Sequence, residues 1–195
     1  MSRKFLRVAK VGGSLFDFAH LPVVLRSWLD GQPGVNVLIG GGGPFVEAVR
    51  RADEVFTLGE SSSHWLAIEA MQVSSELLRA LLPEARLVHS LDDARQQLAS
   101  GTMVVLNPAP ALKSSDCMLP HHWDVTSDSI AAYVASELQA DELVLFKSTL
   151  LPANTTRLQA AEARLVDGHF VHAAAKLPTV RWVNLRDTPV SERPL

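Results

Sequence analysis

Cys117 is the only cysteine in this 195-residue chain. No internal disulfide can form, which excludes a small, disulfide-stapled scaffold. No run approaches the roughly 20 apolar residues of a membrane-spanning helix. Residues Met1 to Lys10 are mixed and charged, without the apolar centre of a signal peptide. Positive charge is not in excess either: 18 Lys and Arg face 21 Asp and Glu, for a net charge of -3. The single Arg-Arg pair, Arg50-Arg51, does not make a nucleic-acid groove. Familiar catalytic signatures are missing as well: GxxxxGK[ST], a GxGxxG after a strand, HExxH and CxxC. His121-His122 lacks a partner at metal-ligand spacing and reads as loop, so no protein metal ligand is assigned. These absences lead to the expectation of a soluble, cytoplasmic protein with neither a nucleic-acid nor a membrane partner.

What is present is enough apolar material for a core. The chain is 47% hydrophobic, with a mean hydropathy of +0.12. Its length suits one domain over 1–195. Short aliphatic runs at Phe5–Val11, Val35–Gly40, Met103–Asn107, Leu143–Phe146 and Val180–Val183 read as strands, with Arg86–His89 as a further short one. The middle runs are almost wholly apolar, as buried parallel strands are. Helical patterns lie between them at Leu21–Asp30, Pro44–Ala52, Ser63–Leu82, Leu91–Ala99 and Ser127–Leu138. Alternating strands and helices predict an α/β protein, a three-layer αβα sandwich with a mostly parallel central sheet. The tail after Arg186, with Pro189 and Pro194, reads as loose.

Four segments carry candidate chemistry. Val8 to Ser14 runs a strand into Lys10, then Gly12, Gly13 and Ser14. Glycines let backbone N–H groups approach an anion, and a lysine adds a compact positive charge. Leu38 to Phe45 ends a strand in four glycines, Gly40 to Gly43, before a helix opening at Pro44. A plain turn needs fewer glycines, and a helix N-terminus favours an anion. That helix carries Arg50 and Arg51, which could grip a phosphate bidentately or simply lie in solvent. Trp123 to Ala132 places Asp124, Thr126, Ser127 and Asp128 where a helix begins. Any of the first three could be the N-cap, and Asp128, in the first turn, could orient a lysine or face a magnesium ion. Leu143 to Thr149 delivers Lys147, Ser148 and Thr149 at a strand end. In open α/β sheets ligands gather outside the carboxyl ends of strands. Lys10, the glycines after Ile39, and Lys147 all fall at such ends. His64 and Trp65, at the start of the longest helix, could serve packing or face a substrate. His169, His172 and Lys176 show no clear periodicity.

In this order these residues resemble the amino-acid-kinase superfamily, over nearly the whole chain. Gly-Gly-Gly-Pro-Phe, Ser-His-Trp-Leu-Ala-Ile-Glu-Ala-Met and Trp-Asp-Val-Thr-Ser-Asp-Ser-Ile-Ala-Ala are similar to one branch, the aminomethyl-furanmethanol-phosphate kinases of methanofuran biosynthesis. The resemblance implies an ATP- and Mg2+-dependent kinase acting on a small phosphate acceptor, in a dimer or larger homo-oligomer. Lys10, Asp128 and Lys147 would be catalytic. Gly12, Gly13, Ser14, Gly41, Gly42, Gly43, Arg50, Arg51 and His64 would meet acceptor and phosphates. Thr126, Ser127, Lys147 and Ser148 would meet the nucleotide. The aromatic residues expected near the acceptor are Trp65 and Phe45. About 45 residues follow the Lys147 strand, so the C-terminal nucleotide-binding half is shorter than in larger members. Val166-Asp167-Gly168-His169-Phe170 stands where a remnant of that segment could lie. Two alternatives stay open: a kinase for another acceptor (isopentenyl phosphate, UMP or a carboxylate), and a non-catalytic nucleotide- or anion-binding protein on the same fold.

Overall fold

The apolar runs become strands because a strand buried on both faces tolerates no alternation with polar residues. The computed structural model describes residues 4–115 and 117–195; the Met1–Arg3 part of the segment read for a signal lies outside them. The strands are β1 (Leu6–Val11), β2 (Val35–Gly40), β3 (Arg86–Val88), β4 (Val104–Leu106), β5 (Glu142–Lys147), β6 (Val180–Asn184) and β7 (Ser191–Pro194). They form one sheet in the order β3-β4-β2-β1-β5-β6-β7. The first six run parallel, and β7 is antiparallel to β6. The helices are α1 (Leu21–Asp30), α2 (Gly43–Phe56), α3 (Glu60–Leu81), α4 (Leu91–Ser100), α5 (Pro108–Lys113), α6 (Ser127–Glu137), α7 (Arg157–Glu162) and α8 (Phe170–Ala173). None among the described residues is long and apolar enough to cross a membrane.

Two cores, one on each face of the sheet, make the three layers. Val8, Ile39, Val104 and Leu145 pack with Ile68, Ala94, Ile130 and Val134 of α3, α4 and α6. Val11, Leu38, Val144 and Phe146 pack with Leu21, Leu25 and Trp28 of α1 and Leu78 of α3. Side chains alternate along a strand. Lys10 therefore follows Leu6 and Val8 onto the α6 face, and Lys147 follows Leu143 and Leu145 onto the same face. That parity decides where the site forms. Helix α6 is buried nearly all round, with Ser127, Ser129, Ala131, Ala132 and Ala135 inside. Its small side chains let it lie close against β1 and β5, and α8 covers part of its outer side.

The tail is not loose. β7 pairs with β6, and Leu195 N–H donates to the Val180 carbonyl at 2.9 Å. The cause is a charge clamp. Arg7, 1% exposed, places its guanidinium on Glu142 at 2.7 Å and Asn36 at 3.0 Å. Arg181 bridges Glu142 at 2.6 Å and Glu192 of β7 at 2.8 Å. Trp28 Nε1 also donates to Glu192. An edge strand tolerates the terminal Pro194 because its outer side needs no ladder bond. Helix α2 runs four residues beyond the expected Ala52, to Phe56, and α3 starts at Glu60 rather than Ser63. The expected patterns did not include α5, α7 and α8, which are too short to show a helical period.

Candidate active site

Asp128 sits between two lysines at the carboxyl edge of the sheet. β1 and β5 are neighbours, so Lys10 and Lys147 emerge side by side. Helix α6 then presents Asp128 from its first turn, where the helix dipole favours a carboxylate. Lys10 Nζ lies 2.9 Å from Asp128 Oδ1. That oxygen has no partner along a hydrogen-bonding direction, so this contact is ionic. Lys147 Nζ donates to Asp128 Oδ2 at 2.8 Å and to the Leu165 carbonyl at 2.7 Å, and lies 5.0 Å from the Trp182 ring centre. Lys10 and Asp128 are only 5% and 4% exposed. Burial alone would raise the Asp128 carboxyl, but Lys10 and Lys147 outweigh it and hold the group at about 2. Burial likewise pushes the Lys147 ammonium down, to about 8, against the attraction of Asp128 and with the repulsion of Lys10. Two ammonium groups thus meet one carboxylate at the strand ends, and the Asp167 carboxylate adds a second negative charge close to Lys147.

The glycine loops wall this centre. Gly12 N–H donates to Phe146 O at 2.8 Å, and Gly41 N–H to Val11 O at 2.8 Å, so the loops continue the pairing of the three central strands. Gly13 and Gly43 lie back to back. A Cβ on Gly13 would fall 2.2 Å from Gly43 N, and Gly43 has φ +51°, which side chains rarely adopt. Gly40 is a packing residue, since a Cβ there would meet Ser74 Cβ at 2.8 Å. The glycine run thus does two jobs: Gly40 admits α3, and Gly41, Gly42 and Gly43 shape the loop against Gly13. Ser14 Oγ and Ser148 Oγ meet at 2.8 Å and tie the first loop to the end of β5.

Beside this centre is a small cavity of about 50 Å³, walled by Gly42, Arg50, His64, Trp123, Thr126 and Ser127, with apolar side chains completing it. It has room for only a few waters. The Arg50 guanidinium lies 4.3 Å from the Trp123 ring centre, a cation–π contact that fixes its plane. His64 is buried and stacks on His121 at 5.1 Å. Burial, then the neighbouring His121, lowers its pKa, so it is neutral at pH 7 and offers hydrogen bonds rather than charge.

The structure therefore gathers Lys10, Asp128 and Lys147 into one centre, with Gly12, Gly13, Gly41, Gly42 and Gly43 around it. Arg50, His64, Thr126 and Ser127 share the adjoining cavity. Arg51 lies apart. Its side chain is 78% exposed and rests near Glu47 at 3.9 Å. Trp65 lies outside the cavity wall, edge-on to His121 at 5.3 Å with Lys113 over its ring. Phe45 is also absent from that wall, and Trp123 is the aromatic side chain there. Asp167 is a further contributor that no local signal marked as a partner of α6. Its carboxylate accepts from Thr126 N and Ser129 N, each at 3.0 Å, from Thr126 Oγ1 at 2.8 Å and from Ser129 Oγ. Thr126 holds the N-cap position, yet its own side chain caps nothing.

A mostly parallel sheet covered on both faces, with a lysine–aspartate–lysine centre and glycine loops at its carboxyl edge, defines an α/β protein with a buried charged site at that edge. More narrowly, the chain belongs to the amino acid kinase family, whose match spans residues 6–149. It is 30% identical over 141 residues to the [5-(aminomethyl)furan-3-yl]methyl phosphate kinase of Methanocaldococcus jannaschii. That match covers 72% of this chain and 64% of the relative, so it spans a little under two thirds of that protein. The fold is similar to the UMP kinase of Ureaplasma parvum, with TM-score 0.70 and 11% identity over 96% of this chain and 93% of that one. It is also similar to the UMP kinase of Bacillus anthracis, with TM-score 0.69 and 14% identity over 100% of both chains.

Proposed function

We propose that this chain is a kinase that transfers the γ-phosphoryl group of ATP to a small phosphomonoester and forms a diphosphate. Its first candidate acceptor is the aminomethylfuran methyl phosphate. The observation that carries this reading is the Lys10–Asp128–Lys147 centre at the ends of adjacent strands. Phosphoryl transfer needs positioning and positive charge more than covalent help from the protein. A phosphomonoester has its second pKa near ~6 and is largely dianionic at neutral pH. One of its oxygens attacks the γ-phosphorus, the bond to the ADP oxygen breaks, and no proton has to move. The obstacle is repulsion between two polyanions. Lys10 faces the transferring group, Lys147 the nucleotide phosphates, and the N–H groups of the glycine loops the acceptor side. Asp128 keeps both ammonium groups in place. Arg50, held by Trp123, takes the acceptor phosphate, and neutral His64 orients it. Thr126, Ser127 and Ser148 line the nucleotide side.

Both oxygens of Asp128 already face lysines, so this centre does not fit as a Mg2+ ligand set. Among the described residues no other group of three His, Cys, Asp or Glu could hold the ion. Mg2+ enters here as the companion of ATP, and no step above depends on it.

The test is turnover with ATP and Mg2+ against the furan phosphate, isopentenyl phosphate, UMP and acetylglutamate, followed by 31P NMR of the products. A new diphosphate from the furan phosphate supports the proposal. Transfer to a different member of the panel moves the acceptor assignment. ATP binding without any transfer overturns the kinase reading in favour of a binding protein.

A further inference from the structure

The segment from Leu165 to Asp167 touches the charged centre at two points, and both contacts converge on Asp128. Leu165 offers its carbonyl to Lys147 Nζ at 2.7 Å. Two residues on, the Asp167 carboxylate accepts four hydrogen bonds from the first turn of α6, from the N–H and hydroxyl groups of Thr126 and Ser129. Asp128 lies between those two residues in sequence. The first N–H groups of a helix have no partner within it, and α6 does not use its own N-cap side chain. The segment is itself anchored. Val166 and Phe170 are buried at 4% and 0% exposure, and His169 N–H donates to Asp124 O at 3.1 Å.

We propose that Asp167 is a positioning residue of the phosphoryl-transfer site: it caps α6 from across the chain and so fixes Asp128 at the point where one carboxylate can hold both lysines. This rests on the kinase reading for its effect on turnover, though not for its effect on Lys147. The groups facing Lys147 are Asp128 from α6, Lys10 from β1, the Trp182 ring from β6, and the 165–167 segment with its Leu165 carbonyl and Asp167 charge. Asp167 is part of what keeps Lys147 protonated. A merely structural cap would not move that titration.

Asp167→Asn keeps much of the shape but removes the charge and cannot accept from both hydroxyls. With lysine labelled at Cε, NMR titration should show Lys147 losing its proton roughly half a pH unit or more below the wild type. kcat/KM should fall about ten-fold or more, as expected for a misplaced charged group, with its alkaline limb moved to lower pH. Asp167→Glu, which restores the charge, should return the titration towards wild type. A folded Asp167→Asn protein with an unchanged Lys147 titration overturns the proposal. Should that variant not fold, Ser129→Ala removes one bond of the four. There the Asp167 charge stays, so the readout is the position of Asp128 rather than the titration, and an unaltered kcat/KM overturns the proposal equally. If the wild type transfers phosphate to nothing, the kinase reading fails, yet the Lys147 titration still decides the role of Asp167.

Discussion

Lys10, 5% exposed and 2.9 Å from Asp128, is where the account is most exposed to test. Lys10→Ala should lower kcat by about 10²–10³, the scale of losing one electrostatic contact to a transition state, while circular dichroism stays unchanged. Lys147 adds a pH signature. Its folded pKa, about 8, lies below the ordinary 10.5 because burial penalises the charged form. The ammonium is needed for catalysis, so kcat/KM for ATP should fall as pH rises through 8, and on the acid side it should fall as the acceptor dianion is protonated near pH ~6. Stability moves the other way. Between pH 8 and 10.5 the unfolded chain holds a proton that the folded one has released, so Lys147 contributes rising stability across that window. Asp128, lowered from 3.8 to about 2, contributes stability above 3.8 that is lost as pH falls towards 2. A pH–rate profile beside a pH–stability curve separates these effects. Lys10 and Lys147 were legible in the sequence because each lies at the carboxyl end of a largely apolar strand. Their meeting at Asp128 was not, since it depends on β1 and β5 becoming neighbours. The link from Asp167 to Thr126 and Ser129 spans about 40 residues and carries no local pattern.

At the scale of elements, the glycine loops and the helices they open set the shape of the site. Gly13→Ala would drive a Cβ to 2.2 Å from Gly43 N, against backbone that cannot turn aside. Thermal unfolding should show a loss of roughly 1–3 kcal/mol, as for overpacking, with turnover falling alongside. Gly31→Ala is the contrasting case. Its φ is -75° and its Cβ would meet nothing closer than 3.5 Å, so stability should stay level or rise by about 0.4–1 kcal/mol. The sequence marked the four-glycine run correctly as unusual. It could not divide the run into Gly40, which admits α3, and Gly43, which needs a positive φ. Helix α2 has no fully buried side chain, so its boundaries were weakly specified by pattern, and it extended past the expected end. Trp123 was missed as a cavity wall because its partner, Arg50, lies 73 residues earlier, on α2.

For the whole molecule, layer order and sheet direction were readable because β1, β2 and β5 are mostly apolar and buried along nearly their whole length, as central parallel strands are. The tail was misread because two prolines argue locally for a loop, whereas Glu192 answers to Arg181 and Trp28 across the fold. Arg7 anchors the same network. Arg7→Ala would leave Glu142 without one of its two arginines in a buried setting, and urea unfolding should register a loss of about 3–5 kcal/mol. The measurement that tests the central claim most directly is 31P NMR of the furan phosphate incubated with ATP and Mg2+, with wild-type protein and with Lys10→Ala. The account predicts diphosphate signals growing in the first sample and nearly absent in the second. Equal product in both, or none with the wild type while ATP binds, would contradict it.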